Sequence, residues 1–341
     1  MNTEVLKVTE ENLKVAAKKA AKLLLSGELI GLPTETVYGL AANAYNIEAI
    51  KKIYNVKKRP PDNPIIVHVS DFVMLQDIAK ISPMAIEIAR AFWPGPLTMV
   101  LEKKDNINEL ITCGMPTVAV RMPSHYVAHA VIEAADVPLA APSANISGLP
   151  STTTAQHVLD DLNGKIPLIL DGGSSNYGVE STVISLVEEN PVILRPGIIS
   201  LEKIREIYPK TEYSNTINSE ITENTPSQSP GMKYKHYSPV AEVIIVKGTL
   251  EQFSDYVTKH SGDGVYAMCF DGEQDRITIP SVSYGIKGDG YSQASRLFMV
   301  LRMMDKLGVV RIFVRAPEET DESMAVFNRL LRASGFKVIE L

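Results

Sequence analysis

Apolar residues recur at helical spacing over 13–25, and Gly27 follows as a natural helix stop. A short apolar run at 29–32 reads as a buried strand ending at Pro33. Asn46 is placed to cap a helix carrying Ile47, Ile50, Ile53 and Tyr54 on one face, and Ser82-Pro83 opens another that runs to about residue 91. Further strands are predicted at 65–69, 97–101, 117–121, 139–141, 168–170, 182–186 and 192–195, with helices at 125–134 and 154–162 between some of them. Alternating units mixed with consecutive strands predict an α/β unit built on a mixed, twisted sheet. No repeat of fixed period is visible.

The pattern changes near residue 210. Residues 211–239 are rich in Ser, Thr, Asn and Pro and poor in aliphatic side chains, which is the character of a linker or a functional lid. Patterning resumes with a strand at 240–246, a helix at 250–258, a strand at 265–270, a helix at 292–307, a strand at 312–314 and a helix at 324–333. This alternation predicts a small Rossmann-like α/β domain. No glycine-rich turn follows its first strand, so likeness of fold brings no cofactor with it. The expected organisation is a first domain at 1–209, a linker or lid at 210–239 and a second domain at 240–341.

The length of 341 residues agrees with two hydrophobic cores. A net charge of −6 argues against a broad basic face for nucleic acid, although a local basic pocket remains compatible with it. Cys113 and Cys269 match no metal or redox spacing and read as buried thiols of a reducing compartment. The N-terminus lacks the basic and apolar regions of a secretory signal, and no apolar run approaches the roughly eighteen residues of a membrane span. A cytoplasmic protein without membrane contact is expected.

Candidate chemistry concentrates in loops that follow predicted strands, where open α/β sheets place their ligands. Thr34, Glu35, Thr36 and Tyr38 supply hydroxyls and a carboxylate after the first such strand. Thr36 suits the polar groups of an amino acid, and Glu35 suits the orientation of a cation; a hydrogen-bonded turn is the plainer alternative. Lys57-Lys58-Arg59 is framed by Pro60, Pro61 and Pro64, and three adjacent cations repel one another unless an anion neutralises them. A triphosphate would meet that demand, with Asn63 as a further donor; a solvated charge cluster is the competing reading. Ser143, Asn145 and Ser147 form a third polar loop, with Ser151 beyond it, in which small side chains let a backbone approach phosphate. Arg121 ends a strand and is able to clamp a carboxylate or to make a surface ion pair, and Arg195 admits the same two readings. Ser181 offers an exposed hydroxyl at a strand start, and His68 is either a satisfied core histidine or a contact for a substrate hydroxyl. A Ser/His/Asp order, an HExxH pair, a CxxC pair and a Walker loop are all lacking, which disfavours nucleophilic, zinc and P-loop chemistry.

Taken together, residues 33–40, Lys58-Arg59-Pro60, Asn63-Pro64, residues 143–148, Ser181-Thr182-Val183 and Arg195-Pro196-Gly197 resemble the threonylcarbamoyl-AMP synthases, the YrdC-like family. The segment 229–239 resembles the interdomain motif of the longer, two-domain form. The resemblance implies a YrdC-like first domain with a concave cavity, and a reaction in which L-threonine, bicarbonate or CO2 and ATP give threonylcarbamoyl-AMP and pyrophosphate. It implies Mg2+ accompanying ATP and held through phosphates rather than by direct protein ligation. It also implies a downstream threonylcarbamoyl transferase that modifies the adenosine beside the anticodon of ANN-decoding tRNAs, so that tRNA is met only indirectly. By the same resemblance, Lys58 and Arg59 are the catalytic cations, and Thr36, His68, Arg121, Ala141 (through its backbone) and Ser181 face threonine. Arg59, Asn63, Val118 (through its backbone), Ser143, Asn145, Ser151, Arg195 and Tyr237 face ATP, and Tyr234, His236 and Tyr237 are candidates for a lid over the cavity. Such a reaction asks the protein for positioning and charge rather than for a nucleophile. The rival readings are a non-enzymatic module for double-stranded RNA or tRNA, disfavoured by the acidic charge, and a related carbamoyl transfer, disfavoured by the lack of zinc-finger cysteines and of an acylphosphatase-like domain.

Overall fold

The computed structural model describes residues 2–217 and 237–341, and its strands divide between two sheets. The lid candidates Tyr234 and His236 lie outside the described residues. The first sheet contains β1 (Glu4–Lys7), β2 (Ile30–Leu32), β3 (Gly39–Asn43), β4 (Val67–His68), β5 (Leu97–Glu102) and β6 (Thr117–Arg121). It continues with β7 (Leu139–Ala140), β8 (Leu168–Asp171), β9 (Thr182–Ser185), β10 (Val192–Arg195) and β11 (Glu212–Tyr213). The helices of this part are α1 (Leu13–Leu25), α2 (Ile47–Lys57), α3 (Phe72–Ile78), α4 (Pro83–Phe92), α5 (Glu109–Thr112), α6 (Tyr126–Ala135), α7 (Ala155–Leu162) and α8 (Leu201–Arg205).

Strand order is β1-β8-β2-β3-β7-β4-β6-β5-β9-β10-β11, with parallel and antiparallel pairs interspersed, as expected of a mixed sheet. Alanines at 16, 17, 20 and 21 make one face of α1 small enough to lie close against α6 over this sheet. Six elements of this part, β1, β3, β11, α3, α5 and α8, carry too little local pattern to be predicted. Side chains alternate across the central strands. Val67, Met99, Val120 and Ile184 enter the main core, while Ile66, Val100, Ala119 and Val183 form a separate cluster on the other face.

The second part shows the predicted alternation of β12 (Glu242–Lys247), α9 (Leu250–Lys259), β13 (Val265–Cys269), α10 (Gly290–Lys306), β15 (Arg311–Arg315) and α11 (Met324–Ala333), and adds two short strands that were not predicted, β14 (Ser281–Ser283) after β13 and β16 (Val338–Glu340) after α11. Its five strands are all parallel, in the order β14-β13-β15-β12-β16. Cys269 is buried, whereas Cys113, expected to be buried too, is only partly so and lies beside the Tyr54 hydroxyl. No helix among the described residues is long and apolar enough to cross a membrane.

The two parts share a core. Val37, Val179, Ile198 and Tyr237 pack with Leu297, Phe298 and Val326 of α10 and α11. Gly178 has a φ of +71°, and a Cβ there would stand 2.5 Å from the Ala294 carbonyl oxygen, so only glycine lets α10 come this close. Arg302 of α10 donates to the Pro150 carbonyl at 2.6 Å and pairs with Asp161 of α7 at 2.9 Å, both partners being nearly dry. One turn on, the Lys306–Asp160 pair is far more exposed. Arg302→Ala should therefore strand a buried carboxylate and lower stability by about 3–5 kcal/mol, whereas Lys306→Ala should cost less than about 1 kcal/mol, as read from urea denaturation midpoints.

Candidate functional site

A cleft with about 590 Å³ of empty space, its open mouth included, lies where the loops after β2 and β7 meet β4, β6, β9 and β10. Its polar lining comes from Thr34, Thr36, Arg59, His68, Arg121, Ser143, Glu180, Ser181 and Arg195. Its apolar lining includes Val37, Ile66, Ala141 and Tyr237.

Sheet register explains how distant positions meet here. His68 pairs with Arg121, Arg121 with Thr98, Thr98 with Val183 and Val183 with Arg195, so one row crosses five strands. Residues in register share a face, and this face is the one that carries the cleft. Arg195 joins the row only because β10 is irregular between Ile193 and Arg195. Ile193 pairs with Ile184 and Arg195 with Val183: two steps on one strand against one on the other, which is a β-bulge. Regular alternation would have sent Arg195 into the main core beside Ile193.

Each guanidinium is held by acceptors. Arg121 donates from Nε to the Gly95 carbonyl at 3.1 Å and from Nη1 to the Thr36 hydroxyl at 2.7 Å, and its Nη2 lies 2.6 Å from Glu35 Oε1. Glu35 thus orients a cation, as its sequence position suggests. Burial opposes ionisation of Glu35, yet Arg121 and the N–H groups of Ser124 and Glu35 outweigh it and hold the carboxyl below its ordinary value. Arg195 donates to the carbonyl and the hydroxyl of Ser181, and that hydroxyl also meets Thr98 at 2.7 Å. Ser181 is therefore buried in the cleft wall and is not the exposed hydroxyl that its place at a strand start suggests. Burial, then Arg121, pushes His68 down to about 3, so its ring is neutral at physiological pH; its Nδ1 has no hydrogen-bond partner among the described residues.

The basic triplet does not form one cationic loop. Helix α2 extends through Lys57, whose spacing from Ile50 and Ile53 puts it on the buried face of that helix. Its ammonium donates to the carbonyls of Ser143 and Asn145, and the Ser147 N–H returns a bond to the Lys57 carbonyl at 2.9 Å. Burial, with Arg59 nearby, holds this lysine well below its ordinary range. Lys58 is exposed in a left-handed conformation that ends the helix, and it lies outside the cleft lining. Only Arg59 of the three lines the cleft, braced by the carbonyls of Asn63 and Pro64 at 3.1 and 2.6 Å.

Of the other predicted residues, Thr36, His68, Arg121, Ala141, Ser143, Ser181, Arg195 and Tyr237 are brought together in the lining. Asn63, Val118, Asn145 and Ser151 are buried close by and are not part of it. Val118 pairs with Leu101, one step from the cleft-facing Ala119, so its side chain takes the core side of β6. The Asn145 amide donates to the carbonyls of Ile146 and Leu149 and shapes its own loop. The Ser151 hydroxyl donates to Glu180. Glu180, the acid of the lining, was not singled out from the sequence. Nor was Arg329, which reaches Glu180 from α11 at 2.8 Å. The available signal for Arg329 is a cation on a helical face otherwise made of Ala325, Val326, Leu330 and Ala333.

The depressed His68 value generates a prediction. The unfolded ring titrates near about 6.5 and the folded one near 3, so between them only the unfolded chain binds the proton, and stability falls as pH falls. On acidification below about 6.5, the urea midpoint of the wild type should drop relative to that of His68→Asn, while above pH ~7 their difference stays constant. Parallel pH curves would show that the ring titrates normally in the fold.

Residues 22–197 match the Sua5/YciO/YrdC family model, described as "Telomere recombination", and residues 199–335 match the model for the threonylcarbamoyl-AMP synthase C-terminal domain. A threonylcarbamoyl-AMP synthase of Pyrococcus abyssi is 42% identical over 346 residues, spanning 99% of this chain and 100% of the relative. One of Bacillus subtilis is 40% identical over 327 residues, spanning 94% of this chain and 93% of the relative. The crystal structure of P. abyssi Sua5 complexed with L-threonine is similar with a TM-score of 0.90 at 40% identity, covering 99% of this chain and 100% of that one. The chain belongs to the threonylcarbamoyl-AMP synthases, a family of nucleotidyltransferase-type enzymes, in the form that carries the Sua5 C-terminal domain.

Proposed function

We propose that this chain joins L-threonine, bicarbonate or CO2, and ATP into threonylcarbamoyl-AMP with release of pyrophosphate. The product would pass in the cytoplasm to a threonylcarbamoyl transferase acting on the adenosine beside the anticodon of ANN-decoding tRNAs. The observation that carries the reading is the single row across the sheet, with Arg121 and Arg195 separated in register by Thr98 and Val183 and the Ser181 hydroxyl bonded to both Thr98 and Arg195. A similar protein, P. abyssi Sua5, was crystallised with L-threonine.

In this reading Arg121, held by Glu35 and Thr36, meets the threonine carboxylate, and neutral His68 accepts from or donates to the threonine hydroxyl without adding charge. The threonine amine attacks CO2, and an oxygen of the resulting N-carboxylate attacks the α-phosphorus of ATP, expelling pyrophosphate. All reacting atoms come from substrates, so the protein contributes alignment and fixed positive charge. Arg59, with exposed Lys58 beside it, and Arg195 supply that charge on the phosphate side. A more open hollow of about 1260 Å³, lined in part by Val100, Val192 and Leu194, would offer the nucleoside an apolar wall. The lining supplies hydroxyls and one carboxylate already engaged by Ser151 and Arg329, a donor set suited to Mg2+ shared with phosphate oxygens rather than caged by protein. When bound, that ion would offset phosphate charge.

The test supplies labelled threonine with bicarbonate, Mg2+ and ATP and resolves the products. A labelled adenylate and equimolar pyrophosphate are expected, and their absence from folded protein rejects the reaction. Arg121→Ala should raise the KM for threonine roughly 10- to 100-fold while changing that for ATP little. Arg59→Ala should abolish ATP-dependent pyrophosphate release.

A further inference from the structure

Between the cleft and the more open hollow lies a notch with about 230 Å³ of empty space. It shares Pro64 with the cleft lining, and Val100, Met115 and Thr117 with the hollow. The sheet topology opens it: β4 covers β6 only at Val120 and Arg121, and the earlier stretch of β6 that carries Thr117 and Ala119 borders the notch. Ile65 and the short helix α5 close this side, joined by the Ile65 N–H to the Ile111 carbonyl at 2.9 Å. Apart from Thr112 and Thr117 the lining is apolar. Thr112, the last residue of α5, is 1% exposed, and its hydroxyl has no hydrogen-bond partner among the described residues. A buried hydroxyl without a partner lowers stability, and valine has nearly the same shape without that cost. Position 112 therefore keeps a polar group that the fold itself does not use.

We propose that Thr112 is a specificity residue for the nucleotide: its hydroxyl accepts a hydrogen bond from the 6-amino group of adenine, whose edge enters the notch while the ring lies along the apolar wall of the hollow. This deepens the proposed reaction and rests on its placement of the nucleoside in that hollow. Phosphates in the cleft and a base in the hollow have to span the ground between them, and the notch borders both. The threonine oxygen carries two lone pairs and one rotatable proton, so it pairs with an amine without adding charge. Thr117 also lines the notch, but it is only partly buried and open to water, whereas Thr112 is shut off from it. A site that bonds a polar group rejects the analogue lacking it, because the protein's own hydroxyl then stays buried and unpaired.

The experiment uses the full chain with Mg2+ and without threonine. Calorimetry compares ATP with purine riboside triphosphate, which has hydrogen in place of the 6-amino group. The wild type should prefer ATP by about tenfold. Thr112→Val should bring that preference close to one by weakening ATP alone, leave threonine affinity unchanged, and give a urea midpoint no lower than that of the wild type. No preference in the wild type, or an undiminished one in folded Thr112→Val, overturns the proposal. So does an equal loss of affinity for both nucleotides, which would make Thr112 a shaper of the pocket. A lost preference for ATP over 2′-deoxy-ATP overturns it too, by placing the hydroxyl at the ribose. Should Thr112→Val not fold, Thr112→Ser and Thr112→Ala are compared: preference kept with serine and lost with alanine supports the proposal, and equal preference in the two overturns it. A wild-type chain that shows the preference but forms no adenylate sinks the reaction while leaving the Thr112 comparison readable; one that binds no Mg-ATP overturns both.

Discussion

A guanidinium in a dry interior is tolerated only when its N–H groups and its charge are answered, and four arginines organise this molecule around that requirement. Arg121 is met by Glu35, Thr36 and the Gly95 carbonyl, and Arg195 by Ser181. Arg302 is met by Asp161 and Pro150, and Arg329 by Glu180 and Pro196. The first pair places charge in the cleft. The second pair uses the same currency to lock the helices α10 and α11 onto the loops that form it, and the apolar contacts of Val37, Val179 and Tyr237 close the seam. Catalytic geometry and the association of the two parts are therefore one packing problem.

Elements with a sustained period were legible from residues alone: α1, α2 and α6 show a helical stripe, and β5 and β6 are apolar runs of adequate length. β3 was not, because its Gly39–Asn43 sequence has little intrinsic strand preference and exists as a strand through pairing with β2 and β7. The polar loops were visible as clusters of hydroxyl and basic residues after strands. The basic triplet was misread as a single loop because the end of α2 was placed too early; carried one step further, the same helical period takes Lys57 inward. Membership of an enzyme family decides against the RNA-binding module, which composition alone only disfavoured.

What lay beyond the reach of local sequence was the site's dependence on long-range pairing. Nothing in residues 192–195 announces an irregular register, since the bulge is defined against β9. Likewise Arg302 and Arg329 were not singled out from the sequence, and their partners Asp161 and Glu180 lie 141 and 149 residues away. Such pairings become readable only once the sheets fix which loops share an edge.

The irregular step in β10 also limits how this part of the chain can change over evolutionary time. Loss of Leu194 from between Ile193 and Arg195 would straighten the strand with Arg195 still opposite Val183, but would empty the place that Leu194 fills in the apolar cluster on that face. Drift in chain length is therefore open to the exposed bend at 187–189, a few positions earlier, and closed to the strand itself.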